Sequence, residues 1–122
     1  MSTENFEGST ENTKNDRKSK RYRVGWASRV MLPDRRIVAA RTKDVSEGGI
    51  AFELDEAIPL GAHVNIELNP WHEGVQYAIR AKVVITYNMI MSGDSGFSHG
   101  LKFTFIPSEQ LQQLKKFFKS MD

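Results

Sequence analysis

The stretch Tyr22-Arg23-Val24-Gly25-Trp26-Ala27-Ser28-Arg29-Val30-Met31-Leu32-Pro33-Asp34 sets the period of the chain. Tyr22, Val24, Trp26, Val30 and Leu32 share one parity, while Arg23, Arg29 and Met31 take the other, the pattern of a strand with one buried side. Pro33-Asp34 turns it, because proline presets φ and aspartate caps its own backbone, and residues 36–42 supply a partner strand. The period persists downstream. Ile50, Phe52 and Leu54 alternate with Ala51 and Glu53, and Val64, Ile66 and Leu68 alternate with His63, Asn65 and Glu67. Residues 69–74 have the composition of a loop. Residues 75–87 predict one long bent strand, with Tyr77, Ile79, Ala81, Val83 and Ile85 facing inward. Residues 88–98 predict a hairpin loop, and Leu101, Phe103 and Phe105 the inner face of a sixth strand.

After Pro107 the period changes. Ser108 is the expected N-cap of an amphipathic helix over residues 108–120, with Glu109 in its positive first turn. Leu111, Leu114, Phe117 and Phe118 recur on one helical face. Six closely spaced strands with no helix between them exclude a parallel sheet, which needs crossover helices. The expected fold is all-β: a six-stranded antiparallel barrel with a C-terminal amphipathic α-helix over one open end.

The chain has 122 residues, 39% hydrophobic and 26% charged, enough for one compact domain plus a tail. No cysteine is present, which removes disulfide frameworks and thiolate metal sites and fits a cytoplasmic location. No apolar run approaches the ~18 residues of a membrane span, and a soluble, unexported protein is expected. Charge is segregated. Residues 1–16 hold four acids against Lys14, with Phe6 the only large apolar group, and are expected to be a disordered acidic, polar tail. Residues 17–43 hold ten bases against Asp34, a local field that concentrates anions; the expected domain spans 17–122.

Two short motifs carry chemistry. Arg17-Lys18-Ser19-Lys20-Arg21 offers two guanidiniums three residues apart, and Asp44-Val45-Ser46-Glu47-Gly48-Gly49 offers a carboxylate, a hydroxyl and two glycines at a turn. Arginine's planar fork matches phosphate oxygens and the O6/N7 edge of guanine bidentately, which lysine cannot do. Asp44 is suited to accept from guanine N1–H and the exocyclic amine, with Ser46 donating or accepting at the same edge. Gly48 and Gly49 permit positive φ and close ligand approach, and adjacent N–H groups in such turns form anion-binding concavities.

Arg17xxxArg21 followed by Asp44xSer46xxGly49, with Gly100-Leu101-Lys102-Phe103 late in the chain, resembles the PilZ domain family of bacterial cyclic di-GMP receptors. The resemblance covers roughly residues 17–119. It implies that residues 17–21 form a flexible loop folding over ligand on the barrel surface, with Arg17, Arg21, Asp44, Ser46, Gly48 and Gly49 as ligand-binding residues. It further implies a non-catalytic second-messenger receptor acting on a downstream protein partner in motility, exopolysaccharide production or virulence. Asp16 replaces the basic residue common before the first arginine, which favours one ligand per protomer.

Other function classes fit less well. His63, His72 and His99 lack metal-ligand spacing, Ser46 lacks a nucleophile-elbow context, and no paired carboxylates flank a cleft, so neither a metal site nor catalysis is expected. The alternatives are a small-barrel RNA or single-strand-binding module, which gives Asp44 no role, and a ligand-free adaptor of the same fold. Trp71 and Tyr77 are candidates for guanine stacking or for core packing. Met89, Ile90, Met91 and Phe97 are candidates for a partner surface or for packing on the helix.

Overall fold

The computed structural model describes residues 20–94 and 96–122. The expected tail and Arg17 lie outside these residues. Among the described residues eight strands and one α-helix follow in order, with a 3-10 turn (Ser92–Asp94) before the last strand: β1 (Tyr22–Met31), β2 (Ile37–Val45), β3 (Gly49–Leu54), β4 (His63–Asn69), β5 (Trp71–His72), β6 (Val75–Gln76), β7 (Ile79–Ile90), β8 (Phe97–Phe105) and α1 (Ser108–Met121). Six of them close an antiparallel barrel in the order β1-β2-β3-β8-β7-β4, with β4 returning to β1. Closure leaves the ring without an edge strand.

Inward positions follow the alternation. Val30, Val45, Ile50, Phe52, Leu68, Ile79, Val83 and Ile85 are each at most 2% exposed. Thr42 and Ser28, inward but polar, satisfy each other: Thr42 Oγ1 donates to Ser28 Oγ, which donates to the Ala40 carbonyl. His99 is fully buried, and its Nε2 accepts the Ile58 N–H at 2.9 Å. Asn88 donates to the carbonyl of the same Ile58 at 2.7 Å, so this pair of side chains pins the segment leading from β3 to β4.

The helix closes the barrel end that holds the start of β1 and the end of β2. Leu114, Phe117 and Phe118 are buried in the barrel's own core. Phe117 makes edge-on contacts with Trp26, His72 and Tyr77, with centroids 5.2–5.6 Å apart, and Phe118 stacks on Tyr22 at 4.6 Å.

Several expectations are corrected. Residues 69–74 are not a plain loop: β5 and β6 form a two-stranded ribbon, with Glu73 and Gly74 both at positive φ, as a tight two-residue hairpin requires. The strand expected over 75–87 therefore breaks at Tyr77-Ala78, and Tyr77 leaves the ladder to pack on Phe117. Residues 88–90 continue β7 instead of opening the hairpin loop, since Asn88, Met89 and Ile90 pair with His99, Ser98 and Phe97. Phe105 is not on the inner face. A register shift between Lys82 and Val83 turns it outward, and it is 57% exposed. Ser108 is the first helical residue and not the cap; Pro107 takes that position, and no side chain caps the helix.

Candidate functional site

The two motifs meet at the barrel end closed by α1. Arg21 immediately precedes β1, and Asp44 is the penultimate residue of β2, paired in register with Arg23. Under unbroken alternation Asp44 would share the inward face of Thr42 and point into the core. Against β3, however, Thr42 pairs with Phe52 and Asp44 with Ala51, so Lys43 is an additional residue that shifts the phase. The bulge turns Asp44 outward and Val45 inward. Asp44 Oδ1 thereby accepts from Arg21 Nη1 at 3.1 Å, with the side chains 29% and 57% exposed. Neither group is sequestered, so an incoming molecule can reach both.

Ser46 organises the turn that follows. It is 4% exposed, and its Oγ accepts the N–H groups of Gly48 and Gly49, both at 3.2 Å, while donating to the Gly49 carbonyl. The Ser46 N–H also donates to the Gly49 carbonyl at 2.9 Å, and the Gly48 carbonyl accepts from Phe103 N–H at 3.0 Å. The turn is thus satisfied internally and tied to β8. The positive φ expected of the two glycines is not adopted: the glycines that have it are 61, 74, 93 and 96. The expected anion-binding pair of N–H groups is already engaged by Ser46. Gly49 is required by packing, because a Cβ there would collide with the Leu101 carbonyl of β8.

Around this pair the outer surface is basic. Arg23, Arg41 and Lys43 face outward on β1 and β2, and Arg41 donates to the Gly25 carbonyl at 3.4 Å. Lys102, to which the sequence assigns no ligand role, stands exposed on β8 directly opposite Gly49. Only the strand register reveals that position. Lys20 and Tyr22, flanking Arg21, both donate to the Asp122 carboxylate at the end of α1, at 2.9 and 3.0 Å. Hydrogen bonding from Lys20 holds the Asp122 carboxyl below the usual range, and Asp122 in turn raises Lys20.

Trp71 is 66% exposed on the ribbon, whereas Tyr77 belongs to the aromatic cluster at Phe117. Met89 and Ile90, 57% and 70% exposed, lie at the barrel end away from α1 and do not pack on it. Among the described residues no group of three His, Cys, Asp or Glu side chains is placed to hold a metal, and no helix is long and apolar enough to cross a membrane.

The sequence pattern of the PilZ domain family matches residues 15–120. The chain belongs to the PilZ domain family. A search of curated proteins finds no match. Solved PilZ structures share the fold at low identity. The inhibitor of motility MotI/DgrA of Bacillus subtilis aligns with a TM-score of 0.69 at 15% identity, over 82% of this chain and 47% of that one. The PilZ domain of YcgR from Escherichia coli, solved with c-di-GMP, gives 0.60 at 19% identity, over 84% and 88%. The K. pneumonia MrkH–c-di-GMP complex gives 0.63 at 15%, over 85% and 51%. The present chain thus spans about half the length of MotI and MrkH, and most of the isolated YcgR PilZ domain.

Proposed function

We propose that this PilZ domain is a receptor for cyclic di-GMP, bound through Arg17, Arg21 and Asp44, with the Ser46–Gly49 turn as the frame that aims Asp44. The observation that carries this reading is the Arg21–Asp44 contact at 3.1 Å, where two motifs 23 residues apart meet on the barrel surface. Two PilZ structures similar to this chain were solved with c-di-GMP.

The exchange follows from the groups involved. Without ligand, Arg21 and Asp44 neutralise each other. A guanine offers Asp44 two donors, N1–H and the exocyclic amine, and offers Arg21 two acceptors, O6 and N7, so the nucleotide replaces one bond by several charge-assisted ones. Phosphodiester oxygens take the second arginine, Arg17, and Lys102 and Lys43 add attraction without geometry. Ser46, Gly48 and Gly49 act through the backbone they fix and not by direct contact. One ligand per protomer is expected, since Asp16 beside a dianion opposes a second.

The output follows from the neighbours of Arg21. Lys20 and Tyr22 are both held by Asp122, so drawing residues 17–21 onto ligand strains or breaks the clasp on α1. Ligand capture is thereby coupled to the helix end, the surface offered to a downstream protein. The test is a double-mutant cycle of cyclic di-GMP affinity over Arg21→Ala, Asp44→Ala and the pair. Each single change is expected to weaken binding at least tenfold, with non-additive effects because the two groups share one ligand edge. Undiminished affinity in Asp44→Ala would remove the carboxylate from the site.

A further inference from the structure

The ring order places β4 opposite β3, so the outer face centred on β4 looks away from Asp44. A groove of about 330 Å³ crosses this face over β1, β4 and β7. Its apolar rim includes Met31, Ile37 and Phe105, the last two 58% and 57% exposed, and its basic rim is Arg29, Arg80 and Lys82. The one carboxylate within it, Glu67, is already committed. Burial works to raise its pKa, but hydrogen bonds from Arg80, Arg29 and Asn69 outweigh that and hold it at about 2. Arg29 uses Nε and Nη2 on Glu67, and Arg80 uses Nε, so donors of both exposed guanidiniums remain uncommitted to Glu67. The groove thus combines an apolar surface with unspent positive charge, and none of the described residues covers Ile37 or Phe105.

Residues 4–11 have the complementary chemistry. Glu4, Glu7 and Glu11 carry three acids with no base among them, and Phe6 is the one large apolar side chain in that stretch. Fourteen residue steps lead from Phe6 to Lys20, a reach of up to about 50 Å when extended, whereas the distance along β1 from Tyr22 to Met31 is about 30 Å. We propose that residues 4–11 of this chain dock in the groove, with Phe6 on the apolar rim beside Phe105 and the carboxylates of Glu4 and Glu7 on Arg29, Arg80 and Lys82. Tethering raises the effective concentration to about millimolar, so contacts too weak to hold a free peptide suffice. Docking would cover the exposed Phe105 and Ile37, and it does not depend on the nucleotide reading.

The absence of native cysteine allows an unambiguous probe: a nitroxide on Ser9→Cys in the full chain, read by NMR. Selective loss of amide intensity is expected at Met31, Asn65, Lys82 and Phe105. Phe6→Ala, Phe105→Ser and about 0.5 M sodium chloride should each restore that intensity, the salt by screening surface charge. Phe105 is exposed, so its substitution leaves the core intact. Three results overturn the proposal: no selective loss, loss centred instead on the Arg41, Lys43 and Lys102 face, or loss at the groove that Phe6→Ala leaves unchanged.

Discussion

Replacing Gly49 by alanine separates the two reasons a glycine can stand in a binding motif. An ideal Cβ at this position overlaps the Leu101 carbonyl oxygen and lies 3.2 Å from Leu101 C and 3.3 Å from Lys102 Cα, all backbone atoms of β8. Backbone cannot rotate away, so β3 and β8 must separate by on the order of 1 Å, more than a ladder hydrogen bond tolerates. Overpacking costs about 1–3 kcal/mol, and one or two weakened bonds add about 1 kcal/mol each, giving about 2–5 kcal/mol in all. For a domain of this size that lowers the melting temperature by roughly 10–25 °C. Gly100→Ala is the control. Its Cβ meets the ring of Tyr87, a side chain 40% exposed and not backbone, so the cost should stay at about 1 kcal/mol. At Gly25 the nearest atom is the end of Arg41 at 3.9 Å, and alanine there should be neutral. Thermal and urea unfolding of the three variants read the order directly. If Gly49→Ala unfolds with Gly25→Ala, the steric account is wrong and the glycine answers to ligand alone.

Ser46→Ala strips the acceptor from two N–H groups in a buried turn and should destabilise by about 1–3 kcal/mol in urea titration; a neutral result would mean that the hydroxyl is not the turn's organiser. Burial lowers the pKa of His99 below 6.5, so the unfolded chain binds the proton more readily. The stability that His99 contributes is complete above about pH 6.5 and declines below it, and unfolding midpoints that stay flat between pH 7.5 and 5.5 would contradict this. Glu67 runs the same way at lower pH: its folded pKa of about 2 lies below the ordinary 4.5, so its contribution is present above 4.5 and lost as pH falls towards 2. Carboxyl NMR titration should place Glu67 near that value, and an ordinary midpoint would dissolve the proposed Arg29–Glu67–Arg80 network.

Much of this was legible because the barrel is an alternating structure. Val30, Phe52, Ile66, Val83 and Leu101 obey the parity that the sequence displays, and Leu114, Phe117 and Phe118 obey the helical period. What escaped is what breaks parity. A bulge adds one residue and reverses every side chain beyond it, so Phe105 reads as core and is surface, and the continuation of β2 past Thr42, with Lys43 as the extra residue that turns Asp44 outward, leaves no mark in the alternation. The β5–β6 hairpin hides in Asn69-Pro70-Trp71-His72-Glu73-Gly74, because two-residue strands carry no periodicity. The part Ser46 plays in its own turn, accepting from the Gly48 and Gly49 N–H groups, was not legible, since a turn-forming serine and a ligand-binding one share the same letters. Lys102 becomes a neighbour of the site only through the β3–β8 register.

Calorimetric titration of the full chain with cyclic di-GMP, beside GTP and a short single-stranded RNA and repeated on Arg21→Ala and Asp44→Ala, tests the receptor reading. Saturable binding of the cyclic dinucleotide alone is expected, at one per protomer, lost or greatly weakened in both variants. No heat with cyclic di-GMP, or RNA binding that survives Asp44→Ala, would contradict it.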